Sequence, residues 1–153
     1  MQIRQHQPAD IPAIALLYFN TIHKVNIRDY SKQQVQAWAP AIEPAAYWRA
    51  RFAERHVVVA EDNNTVLGFA EYQDDGHVDC FYVHHLHQGR GIGKAMMQDL
   101  EQALRENNIS RLFAEVSLTA VGFFTACGFV AKQERVSEYN NMQFKLVLME
   151  KYL

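Results

Sequence analysis

Two short stretches carry the residues most able to do chemistry. In "HVDCFYV", His77 and Asp79 lie two positions apart, so on an extended strand both project from the face that also carries Phe81 and Val83. An imidazole and a carboxylate so placed can take a proton from a substrate, directly or through a water held between them. The second stretch, residues 84–94, reads "HHLHQGRGIGK". It offers two chemistries. His84, His85 and His87 are metal-ligand types, whereas Gly89, Gly91 and Gly93 let a backbone approach an anion closely.

Spacing separates the candidate phosphate cradles. A Walker A loop needs GxxxxGK[ST], but here Gly93-Lys94 is followed by Ala95, and the position five before Gly93 is Gln88. A dinucleotide fingerprint needs a third glycine where Lys94 stands, after the first strand of a βαβ unit. What fits is Gln88-x-x-Gly91-x-Gly93, between a strand and a long helix. A helix start presents unpaired N–H groups with about half a positive charge from the helix dipole. Such a turn suits a pyrophosphate, with Arg90 and Lys94 able to add charge. The alternative is a turn that merely closes a β–α connection. For the histidines, neighbours on an extended chain point to opposite sides, so they cannot both face one ion easily, and no CxxC pair or acidic cluster sits beside them to complete four ligands. No metal is expected.

Composition bounds the rest. The chain has 153 residues, 49% of them hydrophobic and 21% charged, which suits one globular domain spanning 1–153. Fifteen basic and seventeen acidic residues leave a net charge of −2, so neither nucleic acid nor an anionic membrane is an expected partner. Cys80 and Cys127 form no CxxC pair and sit in apolar surroundings, as buried free thiols do. The N-terminal "MQIRQHQPADIPAI" lacks the apolar run of a signal peptide. A cytoplasmic protein is expected.

Strands and helices must position these residues. "MQIRQH" alternates as a first strand, and Pro8 to Asp10 lead into a helix with Ile14, Leu17, Phe19 and Ile22 on its apolar face. Ser31 caps a short helix ending at Pro40, and a further helical piece begins at Pro44. "HVVVAEDNNTVLGFAEYQ" is a hairpin turning at Asp62 to Asn64. "HVDCFYV" is a strand, and the glycine loop opens a helix with Met96, Leu100, Ala103 and Leu104 on one face. "RLFAEVS" is a strand, "LTAVGFFTACG" a short helix closed by Gly128, and the remainder a hairpin turning near Asn140-Asn141. The order β-α-α-β-β-β-α-β-α-β-β makes an α/β (α+β) domain with a mixed sheet of about seven strands flanked by helices.

In "CFYVHHLHQGRGIGKAMM" and "FFTACGF" the chain resembles the GNAT superfamily of acetyl-CoA-dependent N-acetyltransferases. The first stretch is similar to that family's strand, pyrophosphate loop and helix, with the Q/R-x-x-G-x-G/A motif; the second is similar to its FYxxxGF helix end. The resemblance runs from the first strand to the closing hairpin. Within the superfamily, "YSKQQVQAW" is similar to a stretch of small bacterial members of unassigned substrate.

The resemblance implies a V-shaped opening between the fourth and fifth strands that holds coenzyme A. It places the pantetheine arm on Phe81, Tyr82 and Val83, and the pyrophosphate on the amides of Gln88, Gly89, Arg90, Gly91, Ile92, Gly93 and Lys94. It sets Phe123 and Phe124 beside the thioester, and Ser117 where the family often has an asparagine contacting pantetheine. The histidines of residues 84–87 then belong to a surface turn entering the loop. His77 matches the position where histone acetyltransferases of the family carry a glutamate base. The arylalkylamine branch has histidines matching both His77 and Asp79. One departure stands out: the family's tyrosine, thought to protonate the leaving thiolate, is Phe124 here. Tyr82, Tyr139 or solvent is left for that task.

The implied activity is N-acetylation of a primary amine on a small or amino acid-like acceptor, by direct attack in a ternary complex. Acetyl-CoA is the co-substrate, no metal is needed, and a homodimer is compatible. The acceptor is expected near His23, Tyr30, Trp38 and Tyr72. The alternative, favoured by Phe124, is a catalytically weak acyl-CoA-binding sensor or interaction module.

Overall fold

The computed structural model describes residues 1–153. Its first strand, β1 (Gln2–Gln5), leads through one turn at Pro8–Asp10 into α1 (Ile11–Lys24). Ile11, Ile14, Leu17 and Ile22 of α1 are buried; Phe19 is only half-buried and stacks on His23 one turn along, with ring centroids 4.2 Å apart. The segment after it, which carries Tyr30, Trp38, Tyr47, Trp48 and Phe52, folds as two helices, α2 (Lys32–Trp38) and α3 (Ala45–Phe52), so three helices precede the next strand. α2 opens on a reciprocal cap. Gln34 N donates to Ser31 Oγ at 3.0 Å and Ser31 N donates to Gln34 Oε1 at 2.8 Å, which satisfies two N–H groups that a helix start leaves unpaired.

β2 (His56–Asp62), β3 (Thr65–Tyr72) and β4 (Val78–Val83) follow. Then come α4 (Ile92–Glu106), β5 (Arg111–Ser117), α5 (Val121–Ala126), β6 (Val130–Tyr139) and β7 (Met142–Tyr152). Both hairpins turn on asparagine pairs, Asn63-Asn64 and Asn140-Asn141, with φ between 48° and 63°. Positive φ at both loop positions matches the twist of the flanking strands, and asparagine tolerates it better than most residues.

The strands form two antiparallel sheets, β1-β2-β3-β4 and β5-β7-β6. α1 and α3 cover one face of the first sheet, where Ile14, Leu17, Trp48 and Phe52 meet Val57, Val59 and Phe69. α4 runs along both sheets. Its Met97, Leu100 and Leu104 pack with Val58 and Ala70 on one side and with Leu112, Ala114 and Met149 on the other. Burying aliphatic side chains of this size is worth about 1.5–3 kcal/mol each, so α4 is the main tie between the sheets. Their backbones pair at one parallel bridge, His77 to Phe113. There Phe113 N donates to Gly76 O at 3.0 Å. A Cβ at Gly76 would sit 1.9 Å from Arg111 O, so this closest approach requires glycine. No helix is long and apolar enough to cross a membrane.

Candidate active site

Beyond that bridge β4 and β5 diverge, and the space between them is a cleft of about 760 Å³. Phe81, Tyr82 and Val83 line it from β4, and Ser117, Phe123 and Phe124 from the opposite side. The glycine loop closes one end with Gln88, Gly89, Gly91, Ile92, Gly93 and Lys94.

The loop is built to receive an anion. None of the seven consecutive backbone N–H groups from Gln88 to Lys94 donates to an acceptor in the protein; the first used again is Ala95 N, on Gly91 O. Polar backbone groups are rarely left without partners. Gly91 caps α4 with φ +80° and Gly89 has φ +73°, and a Cβ at either would meet nothing within 4 Å. Conformation therefore calls for glycine at both, and the space beside them is open. These residues fit a pyrophosphate. Arg90 differs from its neighbours: its side chain folds back to donate to His87 Nδ1 at 3.1 Å, and it does not line the cleft.

The three histidines do not splay to opposite sides. Residues 84–87 form a turn rather than an extended segment, so the His84 and His85 rings stack 4.7 Å apart at 13°. Leu86 N donates to His84 Nδ1 at 3.1 Å. Burial keeps both His84 and His85 below the usual imidazole pKa. Three metal-ligand types converge elsewhere, at Glu71, Asp79 and Cys80. There, however, two guanidinium groups already supply the positive charge.

That cluster arises from a feature the alternation rule does not anticipate. β3 pairs with β4 at Ala70–Phe81 and again at Tyr72–Val78, so β4 carries an extra residue between Val78 and Phe81. A bulge of this kind re-aims side chains. Val78 and Phe81 pack with the same core residues, and Asp79 turns with Cys80 toward α3. The bulge therefore takes Phe81 off the face that carries Asp79; His77, before the bulge, lines the same cleft as Asp79 but makes no hydrogen bond to it. Asp79 Oδ2 accepts from Arg51 Nη2 at 3.0 Å and from Arg55 Nη1 at 2.5 Å. Arg51 Nε and Nη2 also clamp the fully buried Glu71 carboxylate.

His77 is differently placed. It lines the cleft at the bridge, stacked on Phe113 at 4.9 Å and 9°. Its Nδ1 lies 3.0 Å from Gln73 Oε1. An amide oxygen only accepts, so Nδ1–H donates to it, and Nε2 has no hydrogen-bond partner in the protein.

Of the four residues expected near the acceptor, Trp38 alone lines the cleft. Tyr30 is buried and bolts the fold: its hydroxyl donates to Lys145 O at 2.7 Å and accepts from Leu118 N at 2.9 Å. His23 Nε2 donates to Ala39 O at 2.7 Å. Tyr72 is buried in the core and stacked on His56 at 5.0 Å. The cleft wall here is instead Tyr18, Tyr47 and Arg51, with Tyr139 from the far side. Tyr47 and Arg51 stand one helical turn apart on α3, a spacing visible in "YWRAR". Glu71, charged inside an apolar strand, signals that a buried cation must lie near.

Phe124 contributes to both cleft and core. It is 4% exposed, with edge-on contacts to Phe129 at 4.9 Å and Phe81 at 5.8 Å. Truncating a ring so enclosed costs about 3–5 kcal/mol. Phe124→Ala is therefore expected to lower the denaturation midpoint strongly as well as weaken cofactor binding. An unchanged urea midpoint would show that the ring does not hold the core.

Comparison with known proteins decides the family. The model of the acetyltransferase (GNAT) domain matches residues 26–153. The chain belongs to the GNAT family of acetyltransferases. Among GNAT relatives, it is 30% identical to YafP, an uncharacterised N-acetyltransferase of Escherichia coli strain K12, across 89% of this chain and 86% of that protein. It is 31% identical to the L-amino acid N-acyltransferase MnaT of the same organism, across 69% of this chain and 64% of MnaT. A crystallised GCN5-related N-acetyltransferase from Rhodopseudomonas palustris superposes with a TM-score of 0.94 at 29% identity, covering 99% of this chain and 95% of that one. The GNAT fold is also shared with YncA of Salmonella typhimurium, solved with its cofactor acetyl-CoA, at a TM-score of 0.74 and 21% identity. This chain is thus an acyltransferase of the GNAT type.

Proposed function

We propose that this GNAT protein acetylates the primary amine of a small, amino acid-like acceptor by direct attack within a ternary complex, with His77 as the base. The observation that carries the reading is the pairing of seven free amides at one end of the cleft with an imidazole at the β4–β5 bridge whose Nδ1–H is held by Gln73 and whose Nε2 has no protein partner. Acetyl-CoA supplies the acetyl group as a thioester. The amides of residues 88–94 would hold its pyrophosphate, with Lys94 adding charge, and the β4 edge beyond the bridge, unpaired by any strand, would hold its arm. His77 Nε2 takes the ammonium proton, directly or through water. The freed nitrogen lone pair forms the N–C bond as the C–S bond breaks, and sulfur leaves with the electron pair and gains a proton.

Direct attack is supported by the state of the cysteines. Burial pushes the Cys80 and Cys127 thiols up, well away from the thiolate that an acyl-cysteine route needs. The leaving sulfur needs a proton source, and Phe124 offers none. Burial also pushes the Tyr82 phenol up, disfavouring the phenolate that donation would leave behind. Tyr139, half exposed at the cleft rim, or water is the better donor.

Thiol release from acetyl-CoA tests the proposal: it should depend on an added primary amine and yield the acetamide by mass spectrometry. If acetyl-CoA binds but no amine is acetylated, while Phe124→Tyr becomes active, the native protein is the acyl-CoA-binding module instead.

A further inference from the structure

Resting on the acetyltransferase reading, we infer that the acceptor is a zwitterionic α-amino acid with a bulky apolar side chain, its carboxylate held by Arg51 Nη1 and its ammonium by Asp79 Oδ1. The two ions are bonded to each other, yet each keeps one end unused. Arg51 spends Nε and Nη2 on Glu71, Asp79 and Cys80, and Nη1 has no partner. Asp79 accepts both of its guanidinium bonds on Oδ2, and Oδ1 has none. Both residues line the cleft.

Charge selects the ligand class. Arg51 and Arg55 carry two positive charges, and Glu71 and Asp79 two negative ones, so the cluster is neutral. A simple amine brings a net positive charge beside Arg51, and a dicarboxylic acid a net negative one beside Asp79. A zwitterion matches both ends, and in an α-amino acid the opposite charges are as close together as in the Arg51–Asp79 pair. A planar guanidinium anchored at two of its three nitrogens is preorganised to receive a carboxylate. Tyr18, Trp38 and Tyr47 wall the space beside the pair, where aromatic faces suit an apolar side chain rather than a charged one.

The test compares acceptors that differ only in the carboxylate: leucine against 3-methylbutylamine, and phenylalanine against phenethylamine. Losing one charge-assisted contact should lower kcat/KM by about 10- to 100-fold for the decarboxylated partner. In R51K, whose ammonium cannot serve the cluster and the ligand together, that ratio should fall toward one. Thermal melting and acetyl-CoA calorimetry establish that R51K is folded. Should it not fold, the isosteric Asp79→Asn takes its place, and KM should rise about tenfold for both members of each pair. A wild-type ratio near one overturns the inference and leaves the acetyltransferase reading standing. So does an unchanged ratio in folded R51K, or an unchanged KM in Asp79→Asn. If no amino acid and no amine is acetylated, the acetyltransferase reading falls and takes this one with it.

Discussion

Gly91→Glu is expected to abolish acetyl-CoA binding while the protein stays folded. The new side chain meets no protein atom, since a Cβ at Gly91 has nothing within 4 Å. It enters the space beside the free amides and brings a negative charge to where the pyrophosphate should lie. Two unit charges about 4 Å apart repel by about 4 kcal/mol at an effective dielectric near 20, roughly a 10³-fold loss of affinity. The φ of +80° at Gly91 adds a conformational cost of about 1–2 kcal/mol for any other residue. Gly91→Asn separates the two effects, because asparagine tolerates left-handed backbone and carries no charge. Calorimetry should show strong loss for the glutamate variant and modest loss for the asparagine one. Unchanged affinity in Gly91→Glu would place the cofactor elsewhere.

The second large effect is at His77. His77→Ala should lower turnover by about 10²–10⁴-fold, the usual contribution of a general base, and flatten the acidic limb of the pH–rate profile. Gln73→Glu gives a sharper check because it changes the partner and not the base. A carboxylate beside Nδ1–H stabilises the imidazolium, so higher pH is needed to free Nε2. The acidic limb should move to higher pH, with the plateau rate largely kept. If it stays put and His77→Ala turns over normally, the base lies elsewhere.

The glycine loop, the hairpins and the helix caps were legible in the sequence because each depends on local chemistry. Asn63-Asn64 can be read as a turn without knowing what it joins, and Gly91 as a helix entry without its ligand. Asp79 could not be placed in this way. It parts from the face of Phe81 through one extra residue in β4 against β3, a register property spread over two strands, and its capture by Arg51 and Arg55 is a contact between distant elements. Tyr30 and Tyr72 were misplaced for a related reason: an aromatic in a helical segment or at a strand end can face a pocket or the core, and only packing decides. Tyr30 ties β7 to the chain after β5, contacts more than eighty residues away in sequence. Arg51 left a fainter trace, in its spacing from Tyr47 and in the buried Glu71 that needs a cation.

The single bridge between the two sheets has a mechanical consequence. Backbone pairing joins the sheets only at His77 and Phe113, and the core they share through α4 holds the rest together, so the cleft is closed at that point and open away from it. The loop amides and the rim at Tyr139 lie at the open part of the cleft, while the imidazole of His77 sits where the two sheets are tied. A co-substrate entering at the open part is thus expected to leave the alignment of that imidazole undisturbed.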